Sequence, residues 1–73
     1  MALVDIKTEI TGNVWKIVAK VGDEVEEDAP ILILESMKME IPVSATERGR
    51  VEAILVAEGQ TVPEGTVVAR LAV

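Results

Sequence analysis

The chain has 73 residues, of which 49% are hydrophobic and 27% charged, and its formal net charge is −6. It contains no cysteine and no histidine, which excludes disulfides, Cys/His zinc sites and the thiol or imidazole groups of most hydrolases. The acidic balance and the single aromatic residue, Trp15, argue against nucleic-acid binding. We therefore expect one domain over residues 1–73, with no metal site, no catalytic residues and no enzyme activity.

Short segments rich in Val, Ile and Leu alternate along the chain with Gly, Pro and acidic residues. This pattern is typical of β-strands separated by turns, and helical spacing is not sustained anywhere. Strands are predicted at about residues 2–6, 14–19, 31–35, 39–45, 50–57 and 66–72. Turns are predicted at residues 11–13, 22–23, 28–30, 48–50, 58–60 and 63–65. Several short strands in so small a chain predict a sandwich or flattened barrel.

The sequence offers no feature that would direct it to a membrane. No apolar run approaches the roughly 18–20 residues of a membrane span. The first residues also lack the basic region and apolar stretch of a secretory signal. We expect a cytoplasmic protein without membrane contact.

The two halves of the chain resemble each other at a shift of 37 residues. Residues 12–34 then superpose on 49–71 without a gap. The identical pairs are Gly12/Gly49, Val14/Val51, Ile17/Ile54, Gly22/Gly59, Val25/Val62, Glu27/Glu64 and Leu34/Leu71. Because glycine adopts positive φ without strain, we interpret the paired glycines as the same two turns in each half. The repeat predicts a pseudo-twofold axis and one shared core.

A β-bulge is expected in each half. Val14 and Ile17 lie three residues apart, as do Val51 and Ile54. In a regular strand, side chains three residues apart point to opposite faces. A bulge between the members of each pair would bring both apolar side chains to the core.

The junction between the halves, residues 35–40, reads Glu-Ser-Met-Lys-Met-Glu and must turn sharply between two predicted strands. Tight hairpins normally carry Asn-Gly or Asp-Gly. Here the tip carries Met37 and Lys38, which adopt positive φ only at a cost of about 1–3 kcal/mol. Because the other predicted turns have Gly or Pro nearby, this exception indicates a functional turn. With no activating base beside it, Lys38 is better suited to be modified by another protein than to act as a catalytic nucleophile.

The Met37-Lys38-Met39 tripeptide closely resembles the attachment motif of biotinyl domains, in which the central lysine carries biotin in amide linkage. The resemblance extends from about Val4 to Ala72 and includes the Glu-Ile-Pro-Val segment after the motif. It implies an all-β fold, a flattened barrel of two four-stranded antiparallel sheets with a pseudo-twofold internal repeat. No insertion or Ala/Pro-rich linker interrupts or precedes the domain, so we expect a stand-alone attachment protein.

Two departures from the biotinyl pattern leave a second cofactor open. Ser36 stands where the family usually has alanine, and Arg48 where it usually has aspartate. Glu35-Ser36 is instead similar to the segment before the lysine of lipoyl domains, which share the fold. Those domains usually lack methionine on both sides of the lysine, so Met37 and Met39 favour biotin. Lipoate, or recognition by both ligases, stays an alternative.

The resemblance implies a carrier function centred on Lys38. Biotin protein ligase would activate biotin as an adenylate, and the Lys38 amine would attack it. The biotinyl-lysine would then accept carboxylate at a biotin carboxylase and deliver it at a carboxyltransferase. The expected ligase-recognition residues are Met37, Met39, Glu35 and Ser36. A monomer in isolation is expected, and lipoyl ligase is the further partner if lipoate is attached.

Other interpretations stay open at this stage. The chain could be a structural barrel module of the same fold with Lys38 unmodified, or a small enzyme working with carboxylates. Met37 and Met39 could fill the core instead of being recognised. The acidic run over residues 23–28 is interpreted as a solvated turn, with docking to a basic partner as the alternative. Trp15 is predicted to be a half-buried strand residue.

Overall fold

The computed structural model describes residues 2–73, which form eight β-strands. In chain order they are β1 (Leu3–Lys7), β2 (Gly12–Ile17), β3 (Glu24–Val25), β4 (Pro30–Ser36), β5 (Met39–Ser44), β6 (Gly49–Ile54), β7 (Thr61–Val62) and β8 (Val67–Ala72). They make two four-stranded antiparallel sheets, in the orders β1-β8-β6-β3 and β5-β4-β2-β7. The all-β prediction is confirmed. The six predicted segments became the longer strands, whereas β3 and β7, of two residues each, were missed.

No helix long and apolar enough to cross a membrane is present among residues 2–73.

The shift of 37 residues found in the sequence converts one sheet into the other. It carries β1, β2, β3 and β4 onto β5, β6, β7 and β8, and thereby the order β1-β8-β6-β3 onto β5-β4-β2-β7. Each sheet contains two strands from each half, so pairings such as Gly12↔Val62 and Val25↔Gly49 join the halves. The pseudo-twofold repeat is confirmed, and neither half completes a sheet alone.

The bulges expected in both halves are present. The pairing of β2 with β4 shifts register between Val14 and Lys16, and that of β6 with β8 shifts between Val51 and Ala53. Val14 and Val51 are fully buried. Ile17 and Ile54 are partly buried and pack against the same core. One extra residue in each strand therefore brings both members of each apolar pair inward.

The repeated glycines serve two different purposes. Gly22 and Gly59 have φ of 97° and 88° and form the predicted turns. The turn prediction is wrong for Gly12 and Gly49, which begin β2 and β6 and do not have positive φ. A Cβ at Gly12 would lie 2.9 Å from the carbonyl oxygen of Glu35, and one at Gly49 would lie 2.6 Å from a backbone oxygen of β8. These two glycines permit close approach of neighbouring strands.

The core lies between the two sheets and is built from aliphatic side chains of both halves. Its largest fully buried members are Ile6, Ile31, Leu32, Leu34, Leu71, Val14, Val51, Val62 and Val68. Trp15 lies at the β2 bulge and is 48% exposed, as expected for a half-buried residue.

Residues 2–73 form an elongated molecule, in which the β4–β5 turn lies at one pole and the junction of Ala2 with Val73 at the other. Its dimensions are 36 × 17 × 17 Å. Beyond β1 and β8, Ala2 and Val73 donate backbone hydrogen bonds to each other over 3.3 and 2.9 Å. β2 starts beside the β4–β5 turn and runs away from it. The loop that follows β2 leads directly to β3, which pairs with the start of β6 next to Ala72. The turn between β4 and β5 is therefore remote from Ala2 and Val73.

Candidate functional site

The β4–β5 hairpin is closed by a two-residue turn. Ser36 pairs with Met39, which leaves Met37 and Lys38 as the two central residues. Their φ angles are 51° and 64°. Positive φ at both central positions defines the type I′ turn, whose twist matches that of the strands it joins. The predicted strained tip is therefore present at the predicted residues.

The strain at this turn is not a general feature of the fold. Among residues 2–73, the other non-glycine residue with positive φ is Asp28, at 71°. Its partner in the repeat is Gly65, at 84°. Aspartate enters the left-handed region with several-fold greater ease than most residues. Met37 and Lys38 have no such advantage, so the sequence departs furthest from local preference at this tip.

The tip side chains project into solvent. Met37 is 93% exposed and Met39 is 60% exposed, and Lys38 between them is exposed as well. The interpretation of the methionines as core residues is therefore wrong, because the core ends further down the hairpin at Leu34. Their role in recognition by a ligase stays a prediction.

The Lys38 amine is free of ionic partners among the described residues. The three ion pairs found within residues 2–73 all use arginines: Arg48–Glu26, Arg50–Glu52 and Arg70–Asp5. No side-chain hydrogen bond in that range involves Lys38 either. An exposed primary amine without a salt bridge needs no contact to be broken before it reacts.

The base of the hairpin is held by β2, which supports the tip. Asn13 of β2 pairs with Glu35, and its side-chain Oδ1 accepts a hydrogen bond from Thr61 Oγ1 of β7. Gly12 packs its backbone against Glu35. Leu34, one residue before Glu35, is fully buried. The backbone below the exposed Lys38 side chain is therefore fixed by packing and by strand pairing.

Two carboxylates face each other immediately below the turn. Glu35 pairs with Glu40 across the hairpin, and both are exposed. Like charges in directly opposed positions destabilise a sheet. Ser36, which is part-buried, separates Glu35 from the tip. Glu40 was not identified from the sequence as a site residue. The two-residue turn fixes the hairpin register, and that register would have placed it opposite Glu35.

The outer edge of the hairpin is protected against strand addition. Ser36 and Met39 form the hydrogen-bonded pair that closes the turn, and such pairs alternate with non-hydrogen-bonded ones. Ile33↔Pro42 is therefore non-hydrogen-bonded. The nitrogen of Pro42 then faces the open edge, where a missing N–H costs no ladder bond and blocks pairing with another strand.

The acidic run over residues 23–28 does not assemble a second site. Glu26 pairs with Arg48 over 3.7 Å, with both side chains about three-quarters exposed (76% and 77%). Asp23 accepts a hydrogen bond from the backbone of Lys20, which closes the local turn. Across residues 2–73, no group of three acidic, His or Cys side chains is placed to hold a metal ion.

Comparison with known proteins gives the family. Residues 2–71 match the biotin/lipoyl family model, described as biotin-requiring enzyme. The chain belongs to the biotin/lipoyl attachment family. It is 42% identical over 66 residues to the biotin/lipoyl attachment protein of Bacillus subtilis, covering 90% of each chain. It is 48% identical over 54 residues to the biotin carboxyl carrier protein of Streptococcus mutans, covering 74% of this chain and 42% of that protein.

The fold of this family member also matches a domain of a large carboxylase. The crystal structure of Kluyveromyces lactis urea carboxylase superposes with a TM-score of 0.93 and 40% sequence identity. The match covers 99% of this chain but only 6% of the carboxylase. The two-sheet architecture implied by the resemblance is thereby confirmed. The chain spans a small part of the carboxylase and less than half of the Streptococcus mutans relative.

Proposed function

We propose that this domain is a biotin carrier, loaded through an amide on Lys38, that moves a carboxyl group between the active sites of a biotin-dependent carboxylase. The observation that carries the proposal is the geometry of the tip: an exposed lysine without an ion pair, on a strained two-residue turn. Membership of the biotin/lipoyl family and similarity to carboxyl carrier proteins support biotin as the cofactor.

Loading uses the chemistry of the Lys38 amine alone. Lys38 Nζ, after losing a proton, forms the amide bond to the carboxyl carbon of biotin activated as its adenylate, and AMP leaves. Apart from the opposed carboxylates of Glu35 and Glu40, the hairpin presents no acid–base pair, so we assign deprotonation of the amine to biotin protein ligase. Biotin, once bound, supplies a ureido nitrogen that carries the carboxyl group. The domain itself performs no catalytic step in this proposal.

The rigid barrel contributes by confining the carrier arm. Because the backbone below the tip is fixed, only the side chain and the attached group must search for an active site. A tethered group of this kind reaches a high effective concentration at both of its partner sites. We propose a biotin carboxylase and a carboxyltransferase as those partners. The 40% sequence identity to Kluyveromyces lactis urea carboxylase over 99% of this chain supports a carboxylase as the partner enzyme.

Lipoate is the second candidate cofactor. Glu35-Ser36 before the lysine favours it, and the Bacillus subtilis relative is named for both biotin and lipoyl attachment. The same exposed amine and the same rigid turn serve either acyl group. The methionines on both sides of Lys38 make biotin the first choice.

The test is co-expression of the chain with biotin protein ligase in biotin-rich cells, followed by intact-mass measurement and streptavidin capture. We expect one biotin per chain and complete loss of capture in Lys38→Arg, which keeps the charge but cannot form the amide. Lys16→Arg, a conservative change of an exposed lysine on β2, is the matched control and should be captured like the unaltered chain. Capture of Lys38→Arg would contradict the assignment of the site.

Parallel co-expression with a lipoyl ligase and lipoate separates the two cofactors. A mass increase of one lipoyl group, with no biotin in the first experiment, would replace biotin by lipoate. If neither group is attached, the carrier proposal fails and a structural module becomes the better interpretation.

A further inference from the structure

Oxidisable sulfur is concentrated beside the attachment lysine. The chain has three methionines and no cysteine. Met37 and Met39 are 93% and 60% exposed, while the buried core consists of Ile, Leu, Val and Ala. Within residues 2–73, a solvent-borne oxidant therefore meets thioethers on both sides of Lys38 and no thioether in the core. The third methionine, Met1, lies outside the described residues.

We propose that Met37 and Met39 form a peroxide-sensitive modification site, and that their oxidation to sulfoxides slows the loading of Lys38. The inference rests on the proposed function, because it concerns recognition of the same hairpin by biotin protein ligase. The chemical class of reactant is a hydroperoxide, with hydrogen peroxide as the simplest member.

The reaction balances without a cofactor. A lone pair of the methionine sulfur attacks one oxygen of the hydroperoxide, and the O–O bond breaks as the S–O bond forms. Sulfur loses two electrons and becomes a sulfoxide. The departing oxygen takes the proton of the hydroxyl group now bound to sulfur, and it leaves as water from hydrogen peroxide or as an alcohol from an organic hydroperoxide. Each methionine consumes one peroxide molecule, and the Lys38 amine is not altered.

The fold is expected to tolerate this change. A sulfoxide turns an apolar side chain into a polar one and disrupts structure where it is buried. Neither methionine belongs to the core, and the pairing of Ser36 with Met39 uses backbone atoms. Oxidation at the tip should therefore leave the melting temperature almost unchanged, and its effect should appear in recognition.

Recognition of the hairpin changes because the two apolar flanks of Lys38 become polar. A ligase that buries these thioethers would have to desolvate a strongly polar S=O group at each position, which is unfavourable without a matching donor. The loss of one such contact corresponds to about a tenfold change in rate constant. Methionine sulfoxide reductases reverse the modification, one enzyme for each sulfoxide epimer, so the effect would be reversible.

The experiment compares the biotinylation rate of the unmodified protein before and after treatment with hydrogen peroxide. Peroxide is removed with catalase before ligase, biotin and ATP are added, and peptide masses locate the sulfoxides. We expect kcat/KM for biotinylation to fall by about tenfold or more when both tip methionines are oxidised. Treatment with both reductases should restore the original rate.

The double variant Met37→Leu/Met39→Leu is the matched control. It keeps the apolar flanks but has no sulfur at the tip, so peroxide should not change its own biotinylation rate. A normal rate for fully oxidised protein would overturn the inference, as would an equal peroxide-dependent loss in the double variant. A failure of the untreated protein to become biotinylated would overturn the proposed function, and the inference with it. Untreated and treated samples thus separate the two failures.

Discussion

At the tip of the β4–β5 hairpin, two consecutive residues without a short polar side chain hold positive φ, Met37 at 51° and Lys38 at 64°. Each such residue costs about 1–3 kcal/mol of conformational strain. Total stability in domains of this kind is only about 5–15 kcal/mol, so the strain is a substantial share of it. The folded protein keeps the turn because the strands below it are fixed by core packing at Leu34 and by pairing with β2.

A substitution that relieves this strain should raise the melting temperature and lower the rate of biotinylation. Asparagine is a preferred first central residue of type I′ turns. We expect Met37→Asn to raise the melting temperature by several degrees, since about 1 kcal/mol shifts the melting temperature of a domain this small by roughly 4–8 °C. The same change should slow biotinylation, because it removes one apolar flank of Lys38. Thermal denaturation and ligase kinetics on the same preparation test both expectations. A lower melting temperature would show that Met37 stabilises the fold.

At the level of single residues, the sequence predicted the strained turn at Met37 and Lys38, because that prediction depends only on residue identity and order. A lysine between two methionines at an unfavourable turn could be recognised without coordinates. Glu40 was missed, although a tip at Met37 and Lys38 fixes the hairpin register that places it opposite Glu35. The exposure of the methionines also needed the structure, since thioethers fill cores as readily as they cover surfaces.

Among the structural elements, the start of β2 fixes the position of the β4–β5 hairpin. The Gly12 backbone lies so close to β4 that a Cβ there would be 2.9 Å from the Glu35 carbonyl oxygen and 3.5 Å from Ser36 Cβ. Its partner in the repeat, Gly49, has the same relation to β8 at the other pole, where a Cβ would meet the Ala72 oxygen at 2.6 Å. The obstructing atoms in both places belong to backbone, which does not move aside easily.

Because Gly12 and Gly49 are equivalent in the repeat, the same substitution at each glycine compares the pole that carries Lys38 with the opposite pole. We expect Gly12→Ala and Gly49→Ala each to lower the free energy of unfolding by about 1–3 kcal/mol, because both crowd a packed strand pair. Only Gly12→Ala should also reduce the biotinylation rate at temperatures where both variants are folded, since it displaces the base of the hairpin. Urea unfolding and ligase kinetics measure the two effects. Equal biotinylation rates for the two variants would contradict this account of the hairpin base.

β3 and β7 are the two strands that the sequence did not predict. β3 and β7 have two residues each, too few for a period of two to be seen. They exist because the pseudo-symmetric loops cross from one sheet to the other and pair with β6 and β2. Those partnerships are set by tertiary contacts. The misassigned turns at Gly12 and Gly49 have a similar origin, since close approach of strands and positive φ both favour glycine.

The whole molecule is stabilised by the exchange of strands between its two halves. Each four-stranded sheet has two inner and two outer strands that come from different halves of the chain. The core side chains follow the same division, with Val14 and Leu34 from one half beside Val51 and Leu71 from the other in one cluster. A gap-free repeat in the sequence was enough to predict this symmetry, but not which strands would be exchanged.

Cooperative unfolding of the complete chain follows from this arrangement. We expect the fragments 1–37 and 38–73 to be unfolded separately. Each keeps one strand pair, β2–β4 or β6–β8, and leaves its other two strands without a partner. The intact chain should unfold in a single two-state transition. Circular dichroism of the fragments and coincidence of the Trp15 fluorescence and far-ultraviolet transitions test these points. A folded fragment, or two separate transitions, would show that the halves are independent units.

Ala2 and Val73 are hydrogen-bonded to each other at the pole remote from Lys38. This position determines where another polypeptide can be joined to the barrel. The repeat places the β4–β5 hairpin and the Ala2–Val73 junction at equivalent positions. A linker peptide that joins the two ends of the chain would allow circular permutation, with the new ends placed in an exposed loop. A polypeptide joined beside Ala2 or Val73 would therefore be attached at the pole opposite Lys38 and would leave the tip of the hairpin uncovered.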